Sequence, residues 1–441
     1  MKYLFKVILL FLIIFNFLVP TVHYSANVAV IIAGLYYLFV KKSLPLTYFF
    51  SKYCIIILAG TLFIALSELA VIALHDYVGG GFYTRYLVQG YMLLCMVFVL
   101  PILIDKEETA YNEAITVICG AFALQGLIHT LAYMIPSFGT YVLNFQSADP
   151  VRVQAAEAGM QNFRFYSLTG APFFDLPAAY SLAFILFFRL QLVPDQNYLR
   201  GWKAFAVMLF MLMGTALSGR TGFIGLGLGL LLYFFYRWNK LTSLWRNVIK
   251  IAGGFLCLLV VFYALLTPAQ QKKITDSVFP FAFEAYYNWR DTGRFATGSS
   301  DALMEVHYYP IDAKTVLWGR GGKSRDFRDE YVPTDAGYME HIFIGGIFYL
   351  LMLIVYQWLF FREPVRMAKQ QHSDEGNTDY LFFLLLFIHM FILEYKGGAL
   401  GTIHLIEVLL LYIGVSYLTE QYALEDVKYS KKETLQEPAF A

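Results

Sequence analysis

Apolar residues along this chain are clustered and do not follow an amphipathic period. Runs of 17 to 24 residues with few charges recur from one end of the sequence to the other. That is the length a helix needs to cross about 30 Å of hydrocarbon. A membrane β-barrel would show short alternating segments instead. In lipid each backbone amide must be satisfied within its own segment, so long apolar runs mean helices. The pattern predicts an all-α, polytopic transmembrane bundle of about 12 spans. They fall near residues 3–19, 22–40, 53–74, 85–104, 113–135, 173–192, 202–219, 221–236, 247–266, 337–360, 379–395 and 399–418. The pair 202–219 and 221–236 leaves two readings: two spans joined by a tight turn, or one long broken helix that would invert everything after it.

The distribution of Lys and Arg favours the first. With the N-terminus inside, the inner segments hold 19 basic residues, from Lys2 and Lys6 to Lys428, Lys431 and Lys432. The short outer segments hold three: Arg85, Arg220 and Lys396. Short loops with excess Lys and Arg stay cytoplasmic. A merged 202–236 span would put Arg237, Lys240, Arg246 and Lys250 outside, against this rule. The expected layout is therefore a membrane domain over 1–418 and a polar cytoplasmic tail over 419–441, with both termini cytoplasmic. Two long loops, about 136–172 and 267–336, then lie on the outer face, where long loops escape the charge rule.

Composition agrees. Of 441 residues, 59% are hydrophobic and only 15% charged, too few for the polar surface of a soluble chain of this size. The net charge of +1, without a Lys/Arg-rich tract, gives no footprint for nucleic acid. Cys54, Cys95, Cys119 and Cys257 all fall in apolar runs without a Cys-x-x-Cys pair. That argues against a disulfide framework or zinc site and makes them small buried apolar residues. The N-terminal apolar run resembles a signal peptide but lacks a small-x-small cleavage site, so it reads as a retained first helix.

Arginines on the outer face are the main chemical signal. Arg290, Arg294, Arg320, Arg325 and Arg328 lie in the large loop, and Arg152 and Arg164 in the first. The planar, always-charged guanidinium suits a lipid-linked phosphate or pyrophosphate, or else these charges pair with the loop's own acids. Leu217-Ser218-Gly219-Arg220-Thr221-Gly222 sets an arginine between two apolar runs, either facing a polar cavity or snorkelling to the interface. Asp335, in Pro333-Thr334-Asp335-Ala336-Gly337-Tyr338, stands at the head of a span. It is a helix N-cap, or a carboxylate that takes a proton from a sugar hydroxyl. His341, six residues on, is a weaker base candidate. Glu394 and Lys396 close the next outer turn, while Glu68 with His75 and His404 with Glu407 share helix faces inside spans. No metal-ligand motif is present.

These segments resemble the Wzy-type polymerases of O-antigen and capsular repeat units, in the O-antigen ligase/polymerase superfamily. Ser218-Gly219-Arg220-Thr221-Gly222 is similar to that family's Ser-x-Arg-Thr/Ser-Gly segment. Thr334-Asp335-Ala336-Gly337-Tyr338, followed by Ile344-Gly345-Gly346-Ile347, is similar to its Ser-Asp-x-Gly-Tyr…Gly-Ile segment. Thr169 to Pro177 loosely resembles a Gly-x-x-x-x-Pro-Asn stretch. The resemblance implies a GT-C-like bundle in the bacterial inner membrane that needs no cofactor or metal. It joins undecaprenyl-pyrophosphate-linked oligosaccharides at the outer leaflet, beside a flippase and a chain-length regulator of the same pathway. Asp335 and Arg220 would be catalytic. Arg290, Arg294, Arg320, Arg325, Arg152, Arg164, His341 and Lys396 would bind the substrate. Ligases of the superfamily carry a His-containing motif where Thr334-Asp335 stands, and its absence favours the polymerase. A flippase or other 12-span transporter is the alternative from another class, although this chain shows no paired halves and puts its length and charge in outer loops.

Overall fold

The computed structural model describes residues 2–42, 44, 49–75, 83–104, 110–146, 167–171, 174–192, 199–237, 241–294, 296–370, 378–399, 408 and 414. Among them the chain is all-α apart from one two-residue hairpin. The long helices are α1 (Lys2–Ile14), α2 (Ser25–Tyr36), α3 (Lys52–Leu74), α4 (Tyr83–Leu103), α5 (Ala110–Met134) and α6 (Asp175–Leu192). They continue with α7 (Trp202–Ser218), α8 (Gly222–Arg237), α9 (Leu241–Leu265), α10 (Gly337–Gln370) and α11 (Thr378–Lys396). Among the described residues five stretches are long and apolar enough to cross a membrane: Tyr53–Leu74, Tyr83–Leu103, Asn112–Met134, Asp175–Leu192 and Gly337–Arg362. Leu62, Phe63 and Leu66 of α3, Ile249, Leu256, Val260 and Leu265 of α9, and Phe348, Leu351 and Val355 of α10 all present exposed apolar side chains. Monomers in water rarely leave apolar faces this extensive uncovered, whereas lipid covers them. A multi-pass membrane bundle accounts for both observations. Most of the predicted span 399–418 lies outside the described residues; within it, Val408 is buried.

The first predicted span is shorter than the sequence indicated. Helix α1 stops at Ile14, giving about 20 Å of length against about 30 Å of hydrocarbon. Pro20 cannot continue a ladder because it has no N–H. The chain instead turns through strands β1 (Leu18–Val19) and β2 (His23–Tyr24), which pair antiparallel. Ser25 holds this end, accepting from the Phe17 N–H at 3.1 Å and donating to the Leu12 carbonyl at 2.6 Å.

Helix α6 is the centre of the bundle, with nearly every side chain from Leu176 to Leu190 buried. It settles the reading of 202–236. Gly214 of α7 lies against Tyr180, Gly219 and Gly222 lie against Pro177, Gly225 against Ser181, and Gly229 against Phe184 and Phe188. Contact therefore descends α6 along α7 and ascends it along α8. The chain reverses at 219–221, and α7 and α8 are two antiparallel helices, not one broken helix. The approach at Gly225 is extreme, since a Cβ there would stand 1.7 Å from the Ser181 carbonyl oxygen. Small residues at such crossings let helix backbones meet without a hydrophobic driving force between them.

The other helices sort into two ends. At one, Arg237 of α8 donates to the Leu192 carbonyl of α6, and Lys6 pairs with Glu113. At the other, termed here the loop end, α5 stops, α6 starts and α7 turns into α8. The large loop leaves α9 and re-enters at α10 on this end too. Gln270, just past α9, donates to the Tyr133 carbonyl at the end of α5 at 2.9 Å. The loop itself is a string of short helical turns, including Pro268–Lys273, Glu284–Thr292, Leu303–His307, Ala313–Trp318 and Ser324–Phe327.

Helix α10 is not the continuous span that was expected. Gly345 (φ −138°, ψ 17°) and Gly346 (φ 69°, ψ −171°) break it one-third of the way along the predicted 337–360 segment. Gly346 adopts a left-handed φ that side chains disfavour. The break frees the Phe343 and Ile344 carbonyls, and the loop satisfies both: Arg320 N–H donates to Phe343 at 2.6 Å and Gly321 N–H to Ile344 at 2.9 Å. The cysteine expectation needs one correction: Cys54, Cys95 and Cys119 are buried, but Cys257 is exposed on the outward side of α9.

Candidate functional site

Arg220 sits in the three-residue turn that reverses the chain, where Gly219 N–H still bonds back to Thr215 at 2.9 Å. Its Nη1 donates to Glu284 Oε2 at 2.6 Å. The other carboxylate oxygen, Glu284 Oε1, accepts from Gly298 N–H at 2.7 Å. Side-chain exposure is 19% for Arg220 and 29% for Glu284, so the pair is mostly shielded. Burial pushes the Glu284 pKa up, but the Arg220 guanidinium and the Gly298 N–H outweigh it and hold the carboxyl below the usual range. Arg220 is thus a latch between the head of α8 and the first half of the large loop.

The loop arginines differ from one another. Arg320 is enclosed by its own loop. It bonds Glu330 at 2.6 Å, Thr315 at 3.0 Å and Tyr331 at 3.3 Å, lies 3.6 Å from Asp312, and stacks on Phe327 and Tyr331. The sequence offered it as a phosphate ligand, and in this state its donors are spent on holding the loop. Arg290 is exposed and pairs with its neighbour Asp291 at 2.7 Å. Arg294 and Arg325 are exposed. Lys396, half-buried, is the last residue of α11. Arg152 and Arg164 lie outside the described residues, as do His404 and Glu407.

Asp335 is not a helix cap. Helix α10 starts at Gly337, and the Ala336 carbonyl accepts from Glu340 N–H at 3.0 Å. Thr334 Oγ1 accepts from Ala336 N–H at 3.0 Å. Asp335 is left exposed, and among the described residues its carboxylate has no hydrogen bond or ion pair. Its backbone N–H donates to His307 Nδ1 at 3.3 Å, and Thr334 Oγ1 donates to the His307 carbonyl at 3.0 Å. An imidazole from the large loop therefore stands beside Thr334-Asp335, which the sequence reading missed because 28 residues separate the pair. The Thr334-Asp335 segment itself carries no histidine, and the fold supplies one from elsewhere in the large loop. His341 goes elsewhere: it is fully buried with Nε2 at 3.1 Å from Glu394 Oε1.

Beneath these exposed groups lies a buried ionisable layer. Glu394 presses on the start of α10 so closely that a Cβ on Gly337 would stand 2.0 Å from its Oε1. Glu340 accepts from Ser324 Oγ at 2.6 Å, tying α10 to the loop. Glu68 of α3 accepts from Tyr349 of α10 at 2.8 Å. Its predicted partner His75 instead meets the Trp318 carbonyl at 3.3 Å. Lys323, in the loop and only 8% exposed, has its pKa pushed down to about 8 by burial and by the nearby Arg85 and Arg325. Charged side chains inside apolar bundles are costly and mark functional or load-carrying positions. Sequence spacing flagged Glu68 and Glu394. It could not flag Lys323 or Glu340, whose partners come from other segments.

Among the described residues no three His, Cys, Asp or Glu side chains group so as to hold a metal ion. No protein-family model, curated protein or solved structure matches the chain. The arrangement at this end of the apolar bundle is a latched arginine, an exposed carboxylate whose own backbone N–H bonds an imidazole, and exposed loop arginines.

Proposed function

We propose that this protein is a GT-C-like membrane glycosyltransferase of the bacterial inner membrane. It would polymerise undecaprenyl-pyrophosphate-linked oligosaccharide repeat units into O-antigen, capsule or exopolysaccharide at the outer face. The observation that carries the reading is the gathering of Arg220, Asp335 and the arginine-bearing loop at one end of the bundle, with Arg220 bonded to that loop. A lipid-linked substrate would lie along the apolar flank with its pyrophosphate at this level. The acceptor hydroxyl attacks the anomeric carbon of the growing glycan and gives its proton to the Asp335 carboxylate. The bond from that carbon to the pyrophosphate oxygen breaks, and the lipid pyrophosphate leaves with the electron pair. Arg220 and the exposed Arg290, Arg294 and Arg325 offset the charge that develops there. Membrane lipid, a flippase and a chain-length regulator are the expected partners.

In cells, Arg220→Ala and Asp335→Ala should leave the protein in the membrane but yield single-repeat glycan. Wild-type chain length in both would remove the site assignment. One observation favours a second reading. With His307 beside Thr334-Asp335, the site has the imidazole expected of an O-antigen ligase. Deletion of a ligase leaves long chains unattached to lipid A core, whereas deletion of a polymerase leaves single repeats. The transporter reading draws support from the α10 break, because broken helices coordinate ions in such proteins. Here, however, the freed Phe343 and Ile344 carbonyls accept from loop amides.

A further inference from the structure

We infer that His307 and Asp335 form a donor–acceptor pair that seats one sugar hydroxyl of the acceptor, with His307 as a neutral imidazole donating from Nε2; this assignment rests on the transfer reading above. The tautomer follows from geometry. The Asp335 backbone N–H points its proton at Nδ1 across 3.3 Å, so Nδ1 must be the unprotonated acceptor and the ring proton sits on Nε2. Among the described residues the ring makes no other hydrogen bond, and the residue is half-buried, so Nε2–H remains open to a ligand.

The mounting is rigid. Thr334, 4% exposed, donates to the His307 carbonyl and takes its own N–H bond to Ser324 Oγ at 2.8 Å. Next along the chain, Tyr308 stacks on Tyr395 with ring centroids 4.7 Å apart and donates to the Tyr395 carbonyl at 2.8 Å. The 303–308 turn is thus pinned to the heads of both α10 and the end of α11. An ionised carboxylate only accepts, and an Nε2–H only donates. A hydroxyl does both, so the pair is complementary to a hydroxyl that gives its proton to Asp335 while its oxygen, or a vicinal hydroxyl, accepts from His307. The proton ends on Asp335, the new bond forms at the anomeric carbon, and His307 is unchanged at the end of the step. With Nδ1 engaged by the Asp335 N–H, His307 serves as a fixed donor from Nε2.

Two amide substitutions separate the roles. Asn can keep the Nδ1-like acceptor for the Asp335 N–H but has no donor at the Nε2 position; Gln reaches the Nε2 position but gives up the backbone bond. The purified wild-type protein and both variants are given a synthetic polyprenyl-pyrophosphate oligosaccharide, and chain growth is followed beside thermal unfolding in detergent. The expected result is that His307→Asn unfolds like the wild type yet slows transfer by about 100- to 1,000-fold, the loss typical of one transition-state donor. His307→Gln should recover most of that rate. Activity retained by Asn and lost by Gln would make His307 a brace for the 334–336 turn and overturn the assignment, as would Asn losing stability and activity together. Failure of the wild type to extend the substrate at all would instead overturn the transfer reading on which the assignment rests.

Discussion

Replacing Arg220 with alanine removes the bond that ties the head of α8 to the large loop. The loss includes the charge-assisted hydrogen bond of 2.6 Å to Glu284, between side chains that are 19% and 29% exposed. Bonds of this kind contribute about 1.5–3 kcal/mol, and their shielding keeps this one above the value of an exposed pair. A loss of about 2 kcal/mol raises the open population of the segment about 30-fold. Gly298 N–H is the natural reporter, because it donates to the other oxygen of Glu284 at 2.7 Å. Hydrogen–deuterium exchange of the purified protein should therefore accelerate across 284–300 by roughly that factor, with little change in α6. Glu284→Gln should produce a smaller version, and the double variant should show coupling of about 1–2 kcal/mol. The pH dependence has a definite sign. The Glu284 pKa is depressed in the folded protein, so the latch is at full strength above the ordinary carboxylate range and is lost as the pH falls below that range through the depressed folded value. Unchanged exchange over 284–300 in Arg220→Ala would refute the latch.

Other outcomes follow from the packing. Gly225→Ala drives a Cβ to within 1.7 Å of the Ser181 carbonyl, a backbone atom that cannot step aside. It should cost at least the 1–3 kcal/mol typical of overpacking and lower the melting temperature, whereas Gly227→Ala, with open space around it, should not. Lys323 should give stability a slope in pH. With its folded pKa lowered from 10.5 to about 8, the unfolded chain holds the extra proton between those values, so stability rises with pH across that window. Thermal unfolding of Lys323→Met should lack this slope. Sidedness is tested by a single cysteine at Arg328, exposed in the large loop, in a chain without its four native cysteines. A membrane-impermeant maleimide should label it in intact cells, and labelling only after the membrane is opened would reverse the orientation.

The all-α class and the approximate bounds of the middle helices were legible because they depend on local quantities. Apolar run length locates α3 to α8 within a few residues, and the division of α7 from α8 that the basic residues favour agrees with the glycine contacts along α6. The failures share one cause, long-range pairing. Nothing local says that α1 stops at Ile14, because the stop depends on Ser25 bonding back to Leu12. The pair Gly345-Gly346 could be read as helix or break, and the loop amides of Arg320 and Gly321 decide for the break. Site chemistry was half legible for the same reason. Arg220 and Asp335 stand out by their positions between apolar segments. Glu284 and His307 are ordinary loop residues until the loop folds and brings each to its partner. Arg320 looked like the other loop arginines, yet Asp312, Glu330 and two aromatic rings enclose it.

The central claim is that the loop end joins lipid-linked glycans. The most direct measurement incubates the purified protein, reconstituted in bilayers, with an undecaprenyl-pyrophosphate-linked repeat unit and resolves the products by chain length. The account predicts a ladder of repeats and release of undecaprenyl pyrophosphate, both abolished by Asp335→Ala with the fold intact. A wild-type protein that leaves the single repeat unextended, or an Asp335→Ala variant that builds the same ladder, would contradict it.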